Sequence, residues 1–296
     1  MNKEKNWSVG RKLLGLAMGL TLAFTLTGCQ GQGSAGDAVA PAVDNTPKTA
    51  EEVYKQYKDQ KQENYKLSGT MDVKMSGGDA QGNTVEMPLT ESMDMDWAGD
   101  FSHANITMEM TYQGQTISQD TEMYTDASGD QAVIYVKDPS TGSWVKTTSA
   151  KSDSSWQGDI ELSDDALKNA DFQTTDDGYK VTVAFADIMS SEEGESTFSQ
   201  MLKNTSGVVD EKELKKMVAD TKMTLNFDKD CKLVSMKVDD MSLTLQGGAA
   251  KADYKMDFTF SDYGKVDEAS AKVPDDVAAS AIDAGSADAT TLTTQQ

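Results

Sequence analysis

The chain has 296 residues and a formal charge of −22, with 49 acidic against 27 basic side chains. Such acidity repels nucleic acid and anionic lipid headgroups alike, so neither a nucleic-acid partner nor an electrostatic membrane-binding face is expected. One histidine, His103, and two cysteines, Cys29 and Cys231, allow no Ser-His-Asp or Cys-His arrangement that does not spend the lone imidazole, no His-rich zinc site and no disulfide framework. The chain reads as non-enzymatic, without metal or cofactor, and dependent on a packed core.

Residues 1–28 place Lys3, Lys5, Arg11 and Lys12 ahead of an apolar run over 13–26, which is followed by Thr27 and small Gly28. A basic start, an apolar middle too short to span a bilayer comfortably and a small-residue end mark an export signal. The stretch Leu26-Thr27-Gly28-Cys29 resembles the lipobox of bacterial lipoproteins. That resemblance implies cleavage before Cys29, a diacylglyceryl group on its thiol and anchoring at the extracytoplasmic face of the cell membrane, where two or three acyl chains hold a protein far more firmly than one. Residues 29–48 are then a small, polar tether. Within it, Gly31-Gln32-Gly33-Ser34-Ala35-Gly36 matches a dinucleotide-binding fingerprint in letters only, because it follows a cleavage site instead of a strand.

Thr49-Ala50-Glu51-Glu52 has capping-box spacing and predicts a helix to about residue 64, with Val53, Tyr54 and Tyr57 on one side. From Tyr65 the period changes to 2, so that one face is wet and one buried. Val85, Met87, Leu89, Met93, Met95 and Trp97 form one apolar row, and Ala104, Ile106, Met108, Met110 and Tyr112 the next. Turns are expected at 77–78, 98–100 and 113–115, then a strand over 117–125, another over 132–136 and a third from Trp144, in an antiparallel meander. Between 150 and 220 the pattern breaks into short helices at 162–170, 198–202 and 214–218, with a strand at 179–185. Alternation returns over 223–227, 233–238, 241–245 and 254–260. Residues 276–296 offer no apolar row and read as a disordered tail. The reading is one domain over 49–275, α+β but mainly β.

Val133-Ile134-Tyr135-Val136 leading to Trp144-Val145-Lys146, and the closing segment from Phe258 to Val266 followed by Val273-Pro274, carry a wider resemblance. With the lipobox, tether, helix and strand order, the chain resembles the lipoprotein-carrier superfamily of the Lol chaperones and the mycobacterial LppX and LprG lipoproteins, above all its Gram-positive branch. The resemblance implies a strongly curved antiparallel half-barrel sheet with helices on its concave face, and an apolar cavity between them that holds acyl chains. On that reading Leu67, Met71, Val73, Met93, Met95, Ile106, Met108, Met110, Val133, Tyr135 and Trp144 line the cavity. The partners are the membrane, through Cys29, and a lipid or lipoprotein ligand, taken by a monomer. The acidic run at 190–195 departs from the family pattern, where a helix would help cover the cavity, and points to a smaller one.

Met71, Met75, Met87, Met93, Met95, Met108, Met110 and Met123 gather in the first half of the expected sheet. Flexible thioethers suit a cavity for varied chains and equally suit a core under a helix, since the row looks the same in either case. The alternative function is therefore a non-enzymatic cell-envelope interaction or scaffold module with a filled core. Met93, Met95, Met108 and Met110 are also soft ligands near His103, but i and i+2 of a strand share its buried face, so core packing is preferred over Cu(I). Asp228-Lys229-Asp230 lacks the rest of a calcium loop and reads as a hairpin turn, with Cys231 a structural thiol beyond it.

Overall fold

A computed structural model describes residues 46–60, 64–78, 84–112, 114–150, 162–188, 216–245 and 250–286. The signal segment, Cys29, the tether up to residue 45, the acidic run at 190–195, the helix expected over 198–202 and the last ten residues lie outside the described residues.

Helix α1 (Ala50–Asp59) starts where the capping spacing predicts: Thr49 Oγ1 accepts from the Glu52 amide at 3.2 Å, and the Glu52 carboxylate turns back to accept from the Lys48 amide at 2.6 Å. One orphan donor of the first turn, and the amide just ahead of the cap, are satisfied in this way. The helix stops at Asp59, short of the expected residue 64, because Asn64 already belongs to β1 (Asn64–Gly78). The meander continues through β2 (Thr84–Ala98), β3 (Phe101–Tyr112), β4 (Gln115–Asp126), β5 (Gln131–Lys137) and β6 (Trp144–Ala150). After α2 (Asp164–Lys168) come β7 (Asp171–Thr174), β8 (Gly178–Ala184), the single turn α3 (Phe185–Ile188), β9 (Lys222–Asp228), β10 (Leu233–Leu245) and β11 (Ala250–Ser261). The chain closes with α4 (Glu268–Ala271), α5 (Asp275–Ser280) and β12 (Ile282–Ser286).

All twelve strands form one sheet in the order β12-β6-β5-β4-β3-β2-β1-β11-β10-β9-β8-β7. Every pairing is antiparallel except that of β12 with β6, and the edge strands β12 and β7 do not pair with each other. Strand β1 sits at the centre because its alternation meets apolar rows on both sides: Met71 faces Met256 of β11, and Leu67 faces Met95 of β2. Gly69 occupies the apolar phase of β1, where a Cβ would stand 2.6 Å from the Phe258 ring of its cross-strand partner. The ring takes the space that a side chain would fill.

The sequence suggests two short strands at 233–238 and 241–245; they are one strand, β10, with a bulge between Val238 and Met241. Its extra residue restores the phase, so Val238 and Met241 both turn to the core, and Thr221 Oγ1 donates to the Asp240 carbonyl at 3.2 Å. The tail expected to be disordered from 276 instead carries α5 and β12, the latter pairing Ile282 with Val145 and Asp283 with Lys146. Composition hides this because Val277 is the only large apolar side chain of α5. Its docking ground is an aromatic patch supplied by distant strands. Strand β7, polar except for Phe172, escapes the sequence reading in the same way; Phe172 stacks on Tyr179 at 6.0 Å.

One face of the sheet, its inner face, carries the main core. Helix α1 joins it through Val53, Tyr54 and Tyr57; Tyr57 meets Phe227 edge-on at 5.7 Å, and the Tyr54 hydroxyl accepts from the Leu162 amide at 3.0 Å.

Candidate functional site

Antiparallel register brings the sequence-predicted methionines together. Across β1, β2 and β3, Met71 lies beside Glu91, which lies beside Met108; the next pairs along are Met93 with Ile106 and Met95 with Ala104, and Leu89 pairs with Met110 on the other side. Leu67, Met71, Val73, Met93, Met95, Met108 and Met110 are buried members of the main core, and Ile106 packs against it partly exposed. Met71, Met93, Met95, Met108 and Met110 are each 1–5 % exposed.

Three expected lining residues stand elsewhere. Val133, Tyr135 and Trp144 share a separate cluster with Tyr124 and Val277 on the opposite, outer face. Register gives the reason: Met123 faces Val136, and Val136 faces Val145, all in the inner phase, so Tyr124, Tyr135 and Trp144 project the other way. The run from Ala132 to Val136 is apolar throughout because both of its faces are covered, and a continuous apolar run does not disclose which residue faces which side.

Glu91 is the residue that the rows conceal. It is 2 % exposed in the inner phase of β2, flanked across the strands by two methionines, and it makes an interaction within the fold. Its signal in the sequence is a lone acid at an apolar position, between Leu89 and Met93. At the end of the same face, Ser102 and Thr125 are each 1 % exposed and pair directly across β3 and β4; neither hydroxyl has a hydrogen-bond partner.

On the outer face His103 stacks on Tyr124 with ring centroids 4.3 Å apart, and its Nε2 lies 3.3 Å from Glu122 Oε1. Glu122 also accepts from Lys137 Nζ at 3.1 Å and from the Tyr124 hydroxyl at 3.2 Å. Burial pushes the Glu122 carboxyl up, but Lys137, Tyr124 and His103 together hold it below its ordinary value. Burial and the Glu122 charge push the Tyr124 phenol up to about 12. The single histidine thus packs on Tyr124, a member of the cluster that holds Val277 of α5. Toward the sheet centre, the outer face carries a groove of about 590 Å³ whose rim includes Asp72, Lys74, Thr90, Ser242, Asp253 and Lys255 beside apolar groups such as Pro88. Several of these groups serve one another or their neighbours: Thr90 donates to Asp72 at 2.7 Å, Ser242 to Asp253 at 2.5 Å, and Lys74 pairs with Glu86 at 2.8 Å.

Asp228 closes the β9–β10 hairpin by accepting from the amides of Asp230 and Lys232 at 2.9 and 2.8 Å, the turn that its sequence suggests. Cys231 takes the left-handed position there (φ 60°), is buried, and its thiol donates to Gln56 at 3.4 Å. Burial, with Asp228 and Asp230 nearby, pushes that thiol up, away from reactivity. Among the described residues no group of three or more His, Cys, Asp and Glu side chains could hold a metal ion, and no helix is long and apolar enough to cross a membrane.

No curated protein matches the chain. The family described as "Family of unknown function (DUF6612)" matches residues 49–282, from the cap of α1 to the start of β12, and the chain belongs to that family.

Proposed function

We propose that the chain is a lipoprotein, anchored through Cys29 to the extracytoplasmic face of the cell membrane, whose inner sheet face takes an apolar chain such as a lipid acyl group. In this reading the sheet curves as a half-barrel, its concave side is the inner face, and α1 covers part of it. The observation that carries the proposal is the makeup of that face over β1–β4. A core selected for stability alone favours Leu, Ile and Val, with their well-defined rotamers. Here the thioethers of Met71 and Met108 flank the buried side chain of Glu91 across the strands. A buried acid, even a paired one, lowers stability relative to a well-packed apolar residue of similar volume, so its place among methionines favours a role besides stability. Methionine deforms to fit irregular guests.

A second reading, an envelope scaffold with a filled core, draws on the low exposure of the same side chains, since the wall of an open cavity would be accessible to water. Titrating the full chain bearing Cys29→Ser with the fluorescent apolar probe N-phenyl-1-naphthylamine separates the two. Saturable binding that Met95→Trp weakens supports the ligand reading, whereas no binding leaves the scaffold. Incorporation of labelled palmitate by the unmodified chain and not by the Cys29→Ala variant tests the anchor.

A further inference from the structure

The paired hydroxyls of Ser102 and Thr125 are the feature of the inner face that core packing explains least. Each residue is 1 % exposed, each hydroxyl lacks a hydrogen-bond partner, and the two stand opposite one another on β3 and β4. A buried polar group without a partner lowers stability, and apolar replacements of the same shape, Val for Thr and Ala for Ser, would avoid that penalty. Their neighbours place them relative to the methionines. One pair further along the same strands, Ala104 faces Met95 on one side and Met123 on the other, and Ala104 is fully buried and small. The hydroxyl pair thus adjoins the methionine track, and Glu91 lies on the same face about 20 Å away, eleven residues along the hairpin path but six along one strand of the register.

Resting on the ligand reading above, we propose that Ser102 and Thr125 form the polar end of the site, and that the ligand is an amphiphile with an uncharged, hydroxyl- or amide-bearing head whose aliphatic chain runs along Met95, Met123 and Met93. A hydroxyl donates and accepts, so two of them match a head that does the same. Two uncharged hydroxyls supply no counter-charge for a carboxylate, phosphate or ammonium head, so an uncharged head is the one they match.

The test uses the full chain bearing Cys29→Ser and displacement of N-phenyl-1-naphthylamine by two ligands with the same acyl chain, 1-monolauroylglycerol and methyl laurate. The wild-type residues should favour the glycerol ester at least tenfold. The double variant Ser102→Ala/Thr125→Val should bring the two affinities together while raising the melting temperature, because it removes unpaired buried hydroxyls. Equal affinities with the wild-type residues overturn the proposal even if the double variant fails to fold. A preference that survives in the double variant, or a variant that melts lower, also overturns it, since the hydroxyls would then serve the fold. If the probe does not bind at all, the ligand reading itself falls.

Discussion

The two halves of the inner face are built from different materials. Over β8–β10 the buried rows are Val181, Val183, Leu225, Phe227, Leu233, Val238 and Leu243, with fewer methionines, and α1 meets this half through Tyr57 and Phe227. Over β1–β4 seven methionines, Met71, Met75, Met93, Met95, Met108, Met110 and Met123, stand among Leu67, Val73, Leu89, Trp97 and Ala104, with Glu91, Ser102 and Thr125 in the same rows. Branched side chains give a core one well-defined packing, whereas methionine gives several of similar energy. On the ligand reading proposed above, the contrast separates a half that fixes the fold from a half that yields to a guest.

The largest expected effect lies in the branched half. Leu225→Ala, at a site 1 % exposed, should lower stability by about 2–5 kcal/mol in urea unfolding and leave probe affinity unchanged. A comparable loss of probe binding in this variant would erase the distinction between the halves. Next comes the outer seat: Val277→Asp should cost about 1.5–3 kcal/mol, the value of a buried Val, and should speed hydrogen exchange across 275–286 without affecting the inner face. In the methionine half, Met95→Trp should cost less than about 1 kcal/mol while weakening probe binding, whereas overpacking of a rigid core costs about 1–3 kcal/mol.

Strands β1, β2, β3, β9 and β11 are legible in the sequence because one polar face alternates with one apolar face, and burial follows that phase through Met75 on β1 and Phe260 on β11. Less legible is whatever depends on distant partners. Tyr135 and Trp144 lie in a segment apolar on both sides, so their face is settled only by pairing with β4. Val277 is apolar in isolation, and its partners are on β4 and β5. Glu91 hides in plain view, since a period-2 row tolerates one polar member without losing its pattern. The unpaired state of Ser102 and Thr125 is a property of the assembled face.

The smallest expected effect is the acid response of the outer face. The folded-state carboxyl of Glu122 lies below its ordinary 4.5, and that of Asp253 below its ordinary 3.8. A lowered folded value means that the unfolded chain binds protons first. The contribution of these groups is complete above their ordinary values and is lost as the pH falls through the lowered ones. Urea midpoints should therefore decline below about pH 4.5, and Glu122→Gln should flatten part of that decline without altering probe binding.

The most direct measurement of the division between the halves is an NMR titration of the chain labelled at its methionine ε-methyl groups with 1-monolauroylglycerol. The account predicts that the signals of Met93, Met95, Met108 and Met123 shift, while that of Met223, which lies on β9, stays in place. Signals that all remain unmoved, or a Met223 that shifts as far as Met95, would contradict it.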